Sequence, residues 1–187
     1  MSFKILITGP PRCGKSTLIR KLINNLQNDY TLHGFLTPEV RKKGKRIGFD
    51  IRDVNSGKTV PLARKGNYSS DFTLGSYKVF IDGFNRYLNE SMHKIIENER
   101  EGDQNNSFIL IIDEIGKMEL FSELFRSKLK KIFTSDVAVI ATVGKHMNHP
   151  IKDFILNNPE VKLFSLTHQN QKEVLQNIVE IINREKY

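Results

Sequence analysis

With 187 residues, 39% of them hydrophobic and 27% charged, the chain has the size and composition of one globular domain, which excludes a disordered or fibrous protein. Its single cysteine, Cys13, excludes an intramolecular disulfide, and its N-terminal apolar stretch is too short for a signal sequence, so a soluble cytoplasmic protein is expected. A net charge of +8 and a pI of about 9.5 favour anionic partners, without choosing among nucleotide phosphates, nucleic acid and a membrane surface.

In chain order, FKILIT reads as a short strand buried on both faces, stopped by Gly9, Pro10 and Pro11. From Lys15 to Leu26, Leu18, Ile19, Leu22, Ile23 and Leu26 recur at helical spacing. Residues 31–80 change character: LHGFLTPEV, RIGFDIRDV, TVPLA and YKVF are β-like runs separated by glycine turns, which predicts antiparallel hairpins inserted beside a main sheet. GFNRYLNESMHKIIENER then predicts a helix with Phe84, Leu88, Met92, Ile95 and Ile96 on one side, ending at the polar loop EGDQNNS. The C-terminal half alternates strand FILIID, helix ELFSELFRSKLKKIF, strand VAVIATV, helix IKDFILNN, strand VKLFSL and helix QKEVLQNIVEIINREK. Such alternation calls for right-handed crossovers and a mostly parallel sheet with helices on both faces.

The segment GPPRCGKST joins the first strand to the first helix and fits G-x-x-x-x-G-K-[ST]. Gly9 and Gly14 permit backbone angles that turn successive N–H groups inward onto phosphate oxygens, and the helix adds its positive end. Lys15 is expected on the β- and γ-phosphates and the Ser16 hydroxyl on Mg²⁺, with Thr17 either on the α-phosphate or at the helix cap. Five apolar residues then Asp113 and Glu114, in FILIIDE, supply the second half of a triphosphate site. Asp113 is the expected magnesium partner and Glu114, one position past the strand end, the group that orients or deprotonates an attacking water. A glutamate directly after the magnesium aspartate resembles the additional-strand, RecA-like branch of the P-loop NTPases. VAVIATV is then the strand between those of the loop and of Asp113, with Thr142 to Lys145 opening beside the γ-phosphate.

Taken together, GPPRCGKSTL, GFLTPEVR, GFDIRDV, DEIGKMEL and IAT, in this order, resemble the cancer-related nucleoside-triphosphatase family, including its thermophile members. The resemblance covers nearly the whole chain, and DEIGKMEL is its most distinctive part. It implies hydrolysis of several nucleoside triphosphates (ATP, GTP, CTP, UTP) to diphosphate and phosphate with little base preference. It also implies nucleotide-binding segments at Gly9, Pro10, Pro11, Arg12, Cys13, Gly14, Lys15 and Ser16, and at Leu110, Ile111, Ile112, Asp113, Glu114, Ile115, Gly116 and Lys117. One departure stands out: where the family pattern leads to an Asn-Arg pair after the last strand, Asn170 is followed by Gln171.

Other residues carry two readings each. Lys117 either reaches a phosphate or points to solvent. Arg12, and Arg41 or Arg46 of the basic turn RKKGKR, are candidates to offset charge on the transferred phosphoryl group, although hairpin cations also serve to blunt a sheet edge. Cys13 reads as a passive small residue. His146 and His149 stand three apart without further ligands, which argues against zinc. Asn170 in the turn THQN either touches the base or caps the last helix. The rival functions are a small-molecule or nucleotide kinase using the insert as acceptor site, and a nucleotide-gated nucleic-acid binder drawing on the basic turn.

Overall fold

A computed structural model describes residues 2–92 and 108–185. Its centre is a parallel sheet of β10 (Val161–Ser165), β1 (Lys4–Gly9), β9 (Ala138–Gly144), β8 (Phe108–Ile115) and β2 (Thr31–Leu36), in that order. As the sequence predicts, β9 lies between the loop strand and the aspartate strand. The sheet continues antiparallel through β4 (Lys45–Asp53), β5 (Thr59–Lys65), β7 (Tyr77–Val79) and β6 (Phe72–Leu74), with β3 (Glu39–Lys42) paired to β4 alone.

The period-two alternation of the buried strands sorts the core into two layers. Ile5, Ile7, Ile109, Ile111 and Ile140 face α1 (Lys15–Leu26) and α5 (Gln171–Arg184), meeting Leu18, Leu22, Val174 and Ile178. Leu6, Leu110, Ile112, Val139 and Ala141 face the other way, onto Phe84 of α2 (Ile81–Tyr87), Phe125 and Leu129 of α3 (Glu123–Thr134) and Ile151 of α4 (Pro150–Leu156). Each fully buried aliphatic or aromatic side chain of this kind contributes about 1.5–3 kcal/mol. Gly34 lets β2 approach β8: a Cβ there would stand 2.0 Å from the Ile111 carbonyl oxygen.

Three expectations need correction. The run LHGFLTPEV is not one strand of a hairpin insert. Its first part is β2, parallel to β8 in the main sheet, and at Thr37 and Pro38 the chain leaves that ladder to begin β3, because proline has no N–H to continue the pairing. The helix expected over ELFSELFRSKLKKIF is broken into a 3₁₀ turn, Glu119–Phe121, and α3, since the Ser122 side chain accepts the Phe125 N–H at 2.9 Å and caps a new start. The helix expected from Gly83 onward is α2 followed by a π turn, Leu88–Met92; its remainder and the loop EGDQNNS lie outside the described residues.

Candidate active site

Parallel strands direct the C-terminal ends of β1, β9, β8 and β2 to one edge of the sheet, the place where ligands of open α/β sheets gather. In register, Gly9 stands beside Gly144 and Leu36 beside Asp113. The Lys145 N–H donates to the Gly9 carbonyl at 3.1 Å, tying the loop to the end of β9.

From Gly9 the chain turns through Arg12 (φ 66°) and Gly14 (φ 100°), both left-handed, before α1 begins. α1 starts without a side-chain cap and without an acidic residue in its first turn, so its first N–H groups face the loop's own concavity. Lys15 is buried, and its ammonium donates to the carbonyls of Gly9 (3.2 Å) and Pro10 (3.3 Å). Ser16 and Thr17 are exposed at the mouth. Cys13 is buried, its Sγ against Gly9, where a Cβ would come within 2.5 Å of it; packing is its role here.

Asp113 is buried next to this loop. It accepts a hydrogen bond from the Thr142 hydroxyl at 2.6 Å, and the Ser16 hydroxyl lies near it. Burial pushes its carboxyl above the ordinary aspartate range, against the pull of the Thr142 and Ser16 hydroxyls and of the Lys15 charge. Glu114 is not past the strand end as expected: β8 runs on to Ile115, with a shift in its pairing to β9 between Ile112 and Ile115. Its carboxylate lies beside Gly144, where a Cβ would be 3.5 Å from Oε1. Burial raises the Glu114 pKa, the Lys15 charge lowers it and the Asp113 charge raises it, with a net upward shift. A carboxylate raised in this way is a better proton acceptor near neutrality than a free one.

The other sequence candidates are placed elsewhere or spent differently. Lys117 and Arg12 are exposed. Arg41 and Arg46 are both engaged by Glu39, at 2.6 and 2.8 Å, and Arg46 also donates to the Tyr77 hydroxyl at 2.8 Å and stacks on Phe49. These two cations are held within the antiparallel part of the sheet. His149 caps α4, its Nδ1 accepting the Ile151 N–H at 3.1 Å, while His146 is exposed. Asn170 caps no helix by its side chain: its Oδ1 accepts from Thr167, and its amide donates to the Ser165 carbonyl at 2.9 Å. Gln171, where the resemblance led to an arginine, lies on the loop, donating to the Cys13 carbonyl at 2.9 Å.

Two residues of the site escaped the sequence reading. The Glu119 carboxyl is buried and receives a hydrogen bond from the Thr37 hydroxyl at 3.2 Å, and the same Thr37 oxygen accepts the Glu114 N–H at 3.3 Å. Burial pushes Glu119 up to about 8, helped by the charges of Glu114 and Asp113 and opposed by its own backbone N–H and by Thr37. The one signal in the sequence was its position inside DEIGKMEL, beyond Lys117.

Comparison with known proteins agrees with this architecture. The NTPase family matches residues 4–179. Nucleoside-triphosphatase THEP1 of Thermotoga sp. (strain RQ2) is 38% identical, with 96% of this chain and 95% of that protein covered. The cancer-related nucleoside-triphosphatase homologue of Mus musculus is 35% identical over 97% of each. Among solved structures, THEP1 from Aquifex aeolicus superposes with a TM-score of 0.80 at 36% identity, covering 95% of this chain and 98% of the other. A human cancer-related nucleoside triphosphatase in solution gives 0.77 at 31% identity, covering 97% of both chains.

Proposed function

The chain belongs to the NTPase family, and we propose that it hydrolyses nucleoside 5′-triphosphates to nucleoside diphosphate and phosphate in a Mg²⁺-dependent reaction of broad base range. The observation that carries this reading is the meeting of Lys15, Ser16, Asp113 and Glu114 at one sheet edge, with Glu114 half-buried under the Lys15 charge.

In this reading the N–H groups from Arg12 to Thr17 bind the phosphates, and Lys15 offsets charge at the β- and γ-oxygens. Glu114 accepts a proton from the water that attacks the γ-phosphorus, while the β–γ bridging oxygen leaves with its electron pair on the diphosphate. Ser16 and Asp113 are hard oxygen donors brought near one another, a set that suits a divalent cation and would hold Mg²⁺. Bound there, the cation would neutralise charge on the phosphate oxygens.

Broad base range is supported by Asn170, whose oxygen and one amide N–H are taken up by the Thr167–Ser165 turn, leaving a single side-chain donor for a base. The same reading takes residues 1–187 as one domain, supported by the single sheet that runs from β10 to β6. Among the described residues no helix is long and apolar enough to cross a membrane. A cytoplasmic setting is in keeping with the lone, buried Cys13.

Phosphate release from ATP, GTP, CTP and UTP in the presence of Mg²⁺ tests the reading. All four are expected to turn over, with diphosphate and phosphate formed in equal amounts and no acceptor added; phosphate appearing only on an added acceptor would make the protein a kinase. Glu114→Gln is expected to lower kcat roughly 10²–10⁴-fold with nucleotide still bound. Unchanged turnover in that variant would remove Glu114 from the chemistry.

A further inference from the structure

Among the described residues, Asp53, Asp113 and Glu119 are the buried acids. Asp53 receives the Ser56 N–H and hydroxyl and the Tyr87 hydroxyl, which fasten the turn after β4. Asp113 belongs to the phosphate site. Glu119 has neither purpose, and among the described residues no cation acts on it. Burying a carboxyl is costly enough that a leucine or glutamine would be the cheaper choice unless its oxygens hold something in place.

What they hold is visible in the hydrogen bonds. The parallel ladder between β2 and β8 ends at Leu36 and Asp113. One residue later, side chains replace the ladder: the Glu114 N–H donates to Thr37 Oγ1, and Thr37 Oγ1 donates to Glu119 Oε1. The other oxygen, Oε2, packs on Gly116, where a Cβ would come within 2.5 Å of it. The turn between Glu114 and Glu119 closes around that oxygen, with the Leu120 N–H on the Gly116 carbonyl at 3.0 Å. The end of β2, the end of β8 and the 3₁₀ turn are thus joined through one hydroxyl and one carboxyl, at the backbone of Glu114.

We infer that Thr37 and Glu119 are positioning residues for Glu114, a strut that fixes its backbone so that the carboxylate stays beside Gly144 and Lys15. The inference rests on the role given to Glu114 above. It assigns Glu119 no contact with substrate. Its raised pKa agrees with this, because a carboxyl that stays protonated near neutrality adds little charge next to Glu114 while still accepting the Thr37 hydrogen bond.

The test is steady-state phosphate release with nucleotide affinity measured separately. Thr37→Val and Glu119→Leu are each expected to lower kcat on the order of 10- to 100-fold, the scale of a misplaced reacting group, while nucleotide affinity changes less than about threefold. Thr37→Ser and Glu119→Gln, which keep the hydroxyl and the acceptor oxygen, are expected to recover most of the loss. In a Glu114→Gln background, Thr37→Val is expected to change turnover no further, since both act through one group. If Thr37→Val does not fold, Thr37→Ala against Thr37→Ser carries the same comparison.

The inference is overturned if kcat in Thr37→Val and Glu119→Leu stays within about twofold of the parent while Glu114→Gln is impaired, which leaves the role of Glu114 standing. It is also overturned if Thr37→Val still lowers turnover in the Glu114→Gln background. Full activity in Glu114→Gln itself overturns both readings together.

Discussion

At the β3–β4 hairpin, Glu39 is held below the usual carboxylate range by the Arg46 guanidinium first and Arg41 second; at the end of β8, Glu114 and Glu119 are pushed above it by burial. The same residue type is thus driven in opposite directions within one continuous sheet. In the insert, residues 39–80 carry ten Lys and Arg against four Asp and Glu, yet three of those acids are settled locally: Glu39 pairs with two arginines at the surface, half-buried Asp50 pairs with Arg64, and buried Asp53 is held by Ser56 and Tyr87. At the strand ends the acids are few and at least half-buried, with Asp113 and Glu114 facing Lys15. The difference teaches where charge is available for chemistry. In the hairpin it is settled locally and screened by water, whereas at the parallel edge the low-dielectric surroundings keep it responsive to a ligand.

The contrast is broken most severely by removing the charge at its centre. Lys15→Ala is expected to reduce kcat roughly 10²–10³-fold, the scale for losing a preorganised group that faces developing charge. The same substitution should raise the pKa of Glu114 further, because the Lys15 charge opposes its upward shift. Phosphate release across pH checks both, and turnover equal to the parent would show that Lys15 does not act on the transferred group.

A smaller effect sharpens the comparison through stability. Glu119 has an ordinary pKa of 4.5 in the unfolded chain and about 8 when folded. Between those values the unfolded chain releases a proton that the folded chain keeps, so stability falls as pH rises through that window and levels off above it. Glu119→Gln removes this dependence. Its unfolding free energy is expected to gain on the parent from about pH 5 to pH 8, by on the order of a few kcal/mol at the upper end. Denaturant titrations at several pH values measure it, and parallel curves for the two proteins would contradict the buried, protonated state of Glu119.

The least effect belongs to the hairpin. Arg41→Ala removes an exposed partner of Glu39 while Arg46 remains, and a change in stability within about 0.5 kcal/mol with unaltered kcat is expected. A large loss of kcat in this variant would bring the hairpin into the reaction and erase the distinction between the two regions.

Much of this architecture was legible because it leaves local marks. A short apolar run before Gly9, the spacing of Gly14, Lys15 and Ser16, and apolar residues at helical intervals each write a physical constraint into neighbouring positions. The place of β9 between β1 and β8 followed from the resemblance to the additional-strand P-loop branch that an acid directly after Asp113 carries. Ser122 is legible in principle, as a serine before Glu123 at a helix start. By contrast, LHGFLTPEV had strand character whichever partner it took. Its parallel pairing with β8 depends on Gly34 coming close to Ile111, a contact between distant segments.

The sequence by itself determined the phosphate loop, the pair Asp113 and Glu114, and the alternation of strand and helix, since each depends on residues within a few positions of one another. Only the tertiary structure decided that Thr37 joins Glu119, 82 residues away, and that Gln171 rests on the loop at Cys13, 158 residues away. It also decided that Arg41 and Arg46 are spent on Glu39 rather than on a phosphate. The reason is that a side chain's chemistry depends on burial and on partners, and both are set by how the strands order themselves in the sheet.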